Sequence, residues 1–181
     1  MKVIFSHGKE SGPWGSKIRR LAGTAEALGF KVDSIDYSGI NNPDERVIKL
    51  CEYLDHETGP FVLVGSSMGG YVSLVAAERY RPIGLFLLAP ALYMDGYMHQ
   101  EYKAQVEHLQ IVHGWLDDII PVEHSTKYAK RIQCSLHLID GDHRLNSVIE
   151  TVNNLFFIYL KNISVGDSII DSPKGEKRYT I

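Results

Sequence analysis

The residues best suited to chemistry are a serine set between glycines, a loop histidine, and several carboxylates that share the chain with them. Ser67 stands in Gly65-Ser66-Ser67-Met68-Gly69, directly after the apolar run Phe61-Val62-Leu63-Val64 and before a helix-like stretch, 71–80. The Gly-x-Ser-x-Gly spacing is that of a nucleophile elbow, where a buried strand turns so sharply into a helix that the serine backbone is strained. Glycine is needed on both sides because a Cβ there would meet the neighbouring strand or helix. Making Ser66 the central serine would require glycine at Val64 and Met68, so Ser67 is the candidate nucleophile. A serine hydroxyl reacts poorly at neutral pH unless an adjacent base takes its proton. His143, in Gly141-Asp142-His143, is the best placed imidazole. An ordinary histidine titrates near neutrality, so it can accept that proton and later return it, and activity should rise with pH between roughly 6 and 8.

These residues need a scaffold that brings them together. Strands are predicted at 2–6, 30–37, 61–64, 83–89, 110–113 and 135–139, from short apolar runs rich in β-branched and aromatic residues. Helices are predicted at 16–28, from Asn41-Asn42-Pro43-Asp44 onward, at 71–80, 122–132 and 146–160. In the second of these helices the apolar spacing puts Val47, Ile48, Cys51 and Leu54 on one face. Strand and helix thus alternate throughout, which predicts an α/β fold: a three-layer, doubly wound, mostly parallel six-stranded sheet with helices on both faces. Residues 1–163 form the expected single domain, and 164–181 a polar tail or peripheral element.

Composition narrows the function classes. The 181 residues carry a formal net charge of −3, with 44% hydrophobic and 23% charged residues. That balance offers no basic stripe for nucleic acid and no polybasic membrane patch. Cys51 and Cys134 are too few for a disulfide framework and read as two reduced thiols. The first apolar run is interrupted at Ser6-His7-Gly8, too early for a secretory signal, so a cytoplasmic protein is the default expectation. No ligand spacing supports a metal site, and no cofactor is expected: the first loop lacks Gly-x-Gly-x-x-Gly and no P-loop lysine follows the elbow. Oligomeric state is left open.

In an open α/β sheet, ligands bind beyond the carboxyl ends of the strands. Standing there are His7-Gly8-Lys9-Glu10, Ser67, the loop His113-Gly114-Trp115-Leu116-Asp117-Asp118-Ile119-Ile120-Pro121, and Asp140-Gly141-Asp142-His143-Arg144. The chain order Ser, Asp, His and these four stretches together resemble a small, cap-less α/β-hydrolase of the serine-hydrolase, esterase-like kind. The resemblance spans 3–160 and rests on the combination of the four motifs. It implies that Asp117 orients His143, with Asp118 the rival carboxylate, Asp142 shaping its turn, and Asp95 a remoter alternative. It also implies an oxyanion hole made by the backbone N–H groups of Met68 and Lys9.

His7 and His113 are read as bracing their loops, and His137 as a packed or edge side chain. Tyr71, Tyr93, Met94, Tyr97, Met98 and Trp115 gather near the same edge; Tyr93 and Trp115 are the candidates for a substrate pocket, beside ordinary packing as the duller reading. The leading expectation is a serine hydrolase cleaving a small carboxylic ester or thioester. The alternatives are a non-catalytic binding protein on the same fold, or a peptidase, lipase or carbon–carbon hydrolase with the same three side chains. Little material for a lid lies between the fourth and fifth strands, which favours a small, accessible ester.

Overall fold

The computed structural model describes residues 1–170, with side chains as far as residue 164. Six strands, β1 (Lys2–Ser6), β2 (Lys31–Ile35), β3 (Phe61–Ser66), β4 (Gly84–Leu88), β5 (His108–Gly114) and β6 (Ser135–Ile139), form one sheet in the order β2-β1-β3-β4-β5-β6. All five pairings are parallel. Their carboxyl ends therefore open on one edge, where Ser67, the Asp117 loop and the His143 loop all begin.

Five helices, α1 (Ser16–Ala27), α2 (Pro43–Leu54), α3 (Met68–Tyr80), α4 (Val122–Ile132) and α5 (Ile149–Ile170), complete the layers. Successive strand residues point to opposite faces, so each strand feeds two cores. Ile4, Leu63, Leu85, Leu87 and Ile111 pack with α2, α3 and α4 on one face. Val3, Phe5, Val62, Val64, Phe86, Leu88 and Val112 pack with α1 and α5 on the other. Double-sided burial explains why the strands read as apolar runs rather than as alternations.

The doubly wound α/β fold matches its prediction, and the differences lie at element ends. β5 extends from 108 to 114 because His108 and Leu109 continue the ladder with Gly84 and Leu85. The last helix starts at Ile149 and runs on through Ile170, past the boundary placed at 163; residues 171–181 of the predicted tail lie outside the described residues. The buried face of α2 also differs. Ile48 is 59% exposed, while Arg46 is 2% exposed and shares the inward row with Leu50 and Leu54. Apolar spacing alone misses an arginine whose Nε and Nη1 donate to the carbonyls of Ile40, His7 and Gly8.

Candidate active site

β3 ends in Gly65-Ser66 and α3 begins at Met68, leaving Ser67 to make the whole turn. Its backbone sits at φ 54°, ψ −120°, a conformation that non-glycine residues rarely adopt. The turn is held on every side. Ser67 N–H donates to the Leu88 carbonyl (2.9 Å), and the Ser67 carbonyl accepts from Gly70 N–H (2.9 Å) and Ala91 N–H (3.0 Å). A Cβ on Gly65 would lie under 3.0 Å from the Gly69 backbone, and one on Gly69 under 3.0 Å from Ser6 and His7 backbone. The two motif glycines are thus demanded by close approach, and both keep α3 tight against the strand end.

From Ser67 a chain of hydrogen bonds runs to Asp117. The Ser67 hydroxyl lies 2.9 Å from His143 Nε2, and His143 Nδ1 lies 2.8 Å from Asp117 Oδ2. With its Nδ1–H donating to a carboxylate, the imidazole presents a free Nε2 lone pair to the serine proton. The Asp117 side chain is fully buried. Its other oxygen, Oδ1, accepts from the N–H of Ile120 (2.8 Å) and of Ile119 (2.9 Å). Burial works against its charge, yet the Ile120 N–H, the His143 ring and the Ile119 N–H outweigh it, and its pKa lies below the ordinary carboxylate value.

Sequence reasoning missed one partner of that carboxylate. His113, fully buried at the end of β5, brings Nε2 to 3.0 Å from Asp117 Oδ2 and 3.1 Å from the Ile120 carbonyl. Its Nδ1 faces the Ser125 hydroxyl at 2.7 Å. Burial pulls the His113 pKa below that of a free imidazole, partly countered by Asp117, so the ring is neutral, donates from Nε2 and accepts from Ser125 at Nδ1. The Nε2 proton is directed at the Ile120 carbonyl, and the ring edge closes off Asp117 Oδ2 at 3.0 Å, while His143 is the imidazole that donates to that oxygen. The signal was present in the chain: His113-Gly114 repeats His7-Gly8 at the end of a second central strand.

The other residues singled out from the sequence fall as follows. Asp118 is exposed, and Asp142 accepts from Leu145 N–H (2.8 Å) in its own turn. His7 is buried against the Gly8 carbonyl and the Tyr37 N–H. His137 meets Gln110 across the β5–β6 pair. Met68 is the first residue of α3, where the helix itself makes no use of its N–H. Gly8, just before Lys9, lies beside the serine: a Cβ on it would be 3.4 Å from Ser67 Cβ. Trp115 is 58% exposed, next to Leu116 and Ile119, also exposed. Tyr93, at φ 55°, packs on Tyr102 and His124 and buries its hydroxyl without a partner among the described residues. Cys51 and Cys134 are half-buried and unpaired; burial pushes both thiols up, Cys134 to about 11. A cleft of about 830 Å³ between 102–109 and 131–135 borders the amino ends of β5 and β6, the edge opposite Ser67.

Comparison with known proteins shows what the chain is similar to. A family model, that of the uncharacterised protein family UPF0227, matches residues 2–119, which include the first loop, the elbow and the Asp117 loop. The chain belongs to this family. Among solved structures, a candidate hydrolase of the alpha/beta superfamily from Xanthomonas campestris pv. campestris superposes with a TM-score of 0.81 at 29% identity, over 89% of this chain and 98% of that one. A second Xanthomonas campestris protein, a member of the α/β serine hydrolases without lid, has a TM-score of 0.73 at 18% identity, over 89% of this chain and 81% of that one. The mitochondrial palmitoyl-protein thioesterase ABHD10 of Bos taurus is 27% identical over 149 residues, 74% of this chain. The chain spans about half, 47%, of the length of that curated relative. This UPF0227 protein is a small member of the α/β-hydrolase superfamily. Among its described residues no helix is long and apolar enough to cross a membrane.

Proposed function

We propose that the protein is a serine hydrolase that cleaves a small-molecule carboxylic ester or thioester through an acyl-enzyme on Ser67. The observation that carries this reading is the unbroken Asp117–His143–Ser67 hydrogen-bond chain, 2.8 and 2.9 Å, ending on a serine held at positive φ. In the first half-reaction Ser67 Oγ bonds to the carbonyl carbon while its proton passes to His143 Nε2. Asp117 holds the imidazolium that forms. The carbonyl oxygen takes the negative charge and is met by the N–H groups of Met68 and Lys9. The C–O or C–S bond then breaks, and the leaving oxygen or sulfur takes the proton from His143. Water repeats the sequence on the acyl-enzyme, with His143 again as base.

Trp115 and Tyr93 flank this edge from β5 and from the chain after β4, and with exposed Leu116 and Ile119 they offer apolar surface to an acyl group. The 89–107 connection between β4 and β5 carries no helix or strand that would form a lid, in keeping with a small, accessible substrate. The thioesterase named among the relatives supports keeping thioesters within the class.

The test is turnover of a short p-nitrophenyl ester and a short acyl thioester. Ser67→Ala and His143→Gln should each lower kcat by about 10⁴-fold or more, and Asp117→Asn by a similar order. Full activity in Ser67→Ala would remove the proposal.

A further inference from the structure

A buried cation donates to the backbone of the first loop. Arg46, on the first turns of α2, is among the largest fully buried side chains of the protein. None of the ion pairs among the described residues includes it. Its partners are backbone carbonyls: Nε donates to Ile40 O (2.7 Å), and Nη1 donates to His7 O (3.3 Å) and Gly8 O (3.2 Å). The guanidinium also lies 5.2 Å from the centre of the Tyr37 ring. Burying a cation away from any carboxylate is costly, and an apolar residue of the same size would serve packing better.

The Gly8 carbonyl receives a second donor. His7 accepts the Tyr37 N–H at Nε2 (3.0 Å), so its proton is on Nδ1, which donates to Gly8 O at 2.7 Å. Two donors occupy the two lone pairs of that oxygen and fix the plane of the 8–9 peptide. The peptide is trans, as are all others described. In a trans peptide the N–H points opposite to the C=O. With the Gly8 oxygen drawn toward the buried Arg46 and His7, the Lys9 N–H is turned the other way, from a glycine that lies against Ser67 Cβ.

We propose that Arg46 is a positioning residue which, with His7, clamps the Gly8 carbonyl and thereby presents the Lys9 N–H, already oriented, to the oxyanion formed at Ser67. The role rests on the serine-hydrolase reading. Such a donor acts through preorganisation, so its loss weakens transition-state binding more than substrate binding.

Arg46→Met is the direct test, because a buried ion replaced by an apolar chain of similar volume usually leaves folding intact. Kinetics on a short p-nitrophenyl ester are measured beside thermal melting and fluorophosphonate labelling of the wild type. In Arg46→Met, kcat should fall by about 10- to 100-fold while KM stays within about threefold. The midpoint of the pH profile should not move, since His143 and Asp117 are untouched. Arg46→Lys, which keeps one donor, should recover part of the loss. A second pair bears on the same oxygen: His7→Asn keeps a donor near the Nδ1 position and should retain more kcat than His7→Gln, which does not. A folded Arg46→Met with kcat within twofold of wild type overturns the proposal; if that variant fails to fold, equal kcat in the two His7 variants overturns it. A wild type that neither turns over ester nor takes the probe sinks the hydrolase reading and this proposal with it. A labelled, active wild type beside an equally active Arg46→Met sinks this proposal alone.

Discussion

Two His-Gly steps, at the ends of β1 and β5, use the same dipeptide for opposite ends. His7 and His113 are both buried and both neutral, but their protons sit on different nitrogens. His7 donates from Nδ1 to the carbonyl of the next residue, and so shapes the backbone beside Ser67. His113 donates from Nε2 to the Ile120 carbonyl with Asp117 Oδ2 3.0 Å away, and so packs the loop that holds the carboxylate behind His143. The glycines differ as well. Gly8 has ordinary room beside Ser67, whereas a Cβ on Gly114 would lie under 3.0 Å from the Gly141 and Asp142 backbone, where β5 meets the turn leading to His143. A neutral histidine thus supports the site in two ways, chosen by what its second nitrogen meets: a backbone N–H at His7, a serine hydroxyl at His113.

The sharpest contrast should come from the glycines. Gly114→Ala forces backbone against backbone and should destabilise the protein by about 3 kcal/mol or more, read as a drop in melting temperature. Gly8→Ala should cost less than about 1 kcal/mol and melt close to wild type. Its methyl group stands beside Ser67, so on the proposed mechanism kcat on a short ester should still fall by about tenfold. Equal melting of the two variants would break the comparison.

A smaller effect should follow from the histidines. His113→Phe fills most of the ring volume but removes the donor to the Ile120 carbonyl, takes a polar edge away from Asp117 Oδ2 and leaves the Ser125 hydroxyl without its acceptor. We expect a loss of about 1–3 kcal/mol in stability and a modest fall in kcat, with KM little changed.

The smallest effect is on pH dependence. Burial lowers the pKa of both His7 and His113, the former also through Arg46 and the latter against the pull of Asp117. The unfolded chain takes up these protons from about pH 6.5 downward while the folded chain still resists them. Their contribution to stability is therefore complete above about pH 6.5 and shrinks as pH falls toward their folded values. Denaturant midpoints measured from pH 7 to 5 should decline, and the decline should be shallower in His7→Asn and in His113→Phe. A steeper decline in either variant would contradict the neutral assignment.

Much of this was legible in the chain. Strand runs, the elbow glycines and the placing of Ser67, Asp117 and His143 at strand ends are local patterns, and local patterns survive folding when both sheet faces are buried. The identity of the carboxylate was less local. Asp117 and Asp118 are adjacent, and what separates them is that Asp117 Oδ1 caps the Ile119 and Ile120 N–H groups while Asp118 points outward. Arg46 was not read as buried because hydrophobic spacing gives it no weight, although its distance from Leu50 and Leu54 places all three on one helix face. Two of its three acceptors, the carbonyls of His7 and Gly8, lie far away in sequence and are brought to it only by the fold. Ile48 took its place in the reading for the same reason: an apolar residue at a plausible spacing, with nothing in the sequence to show that the space was filled.

The central claim is that Ser67 is the activated nucleophile, and intact-mass measurement after treatment with a fluorophosphonate tests it most directly. The account predicts one adduct on the wild type, mapped to Ser67, absent from Ser67→Ala and much slower to form in His143→Gln. No adduct, or an adduct on another residue that persists in Ser67→Ala, would contradict it.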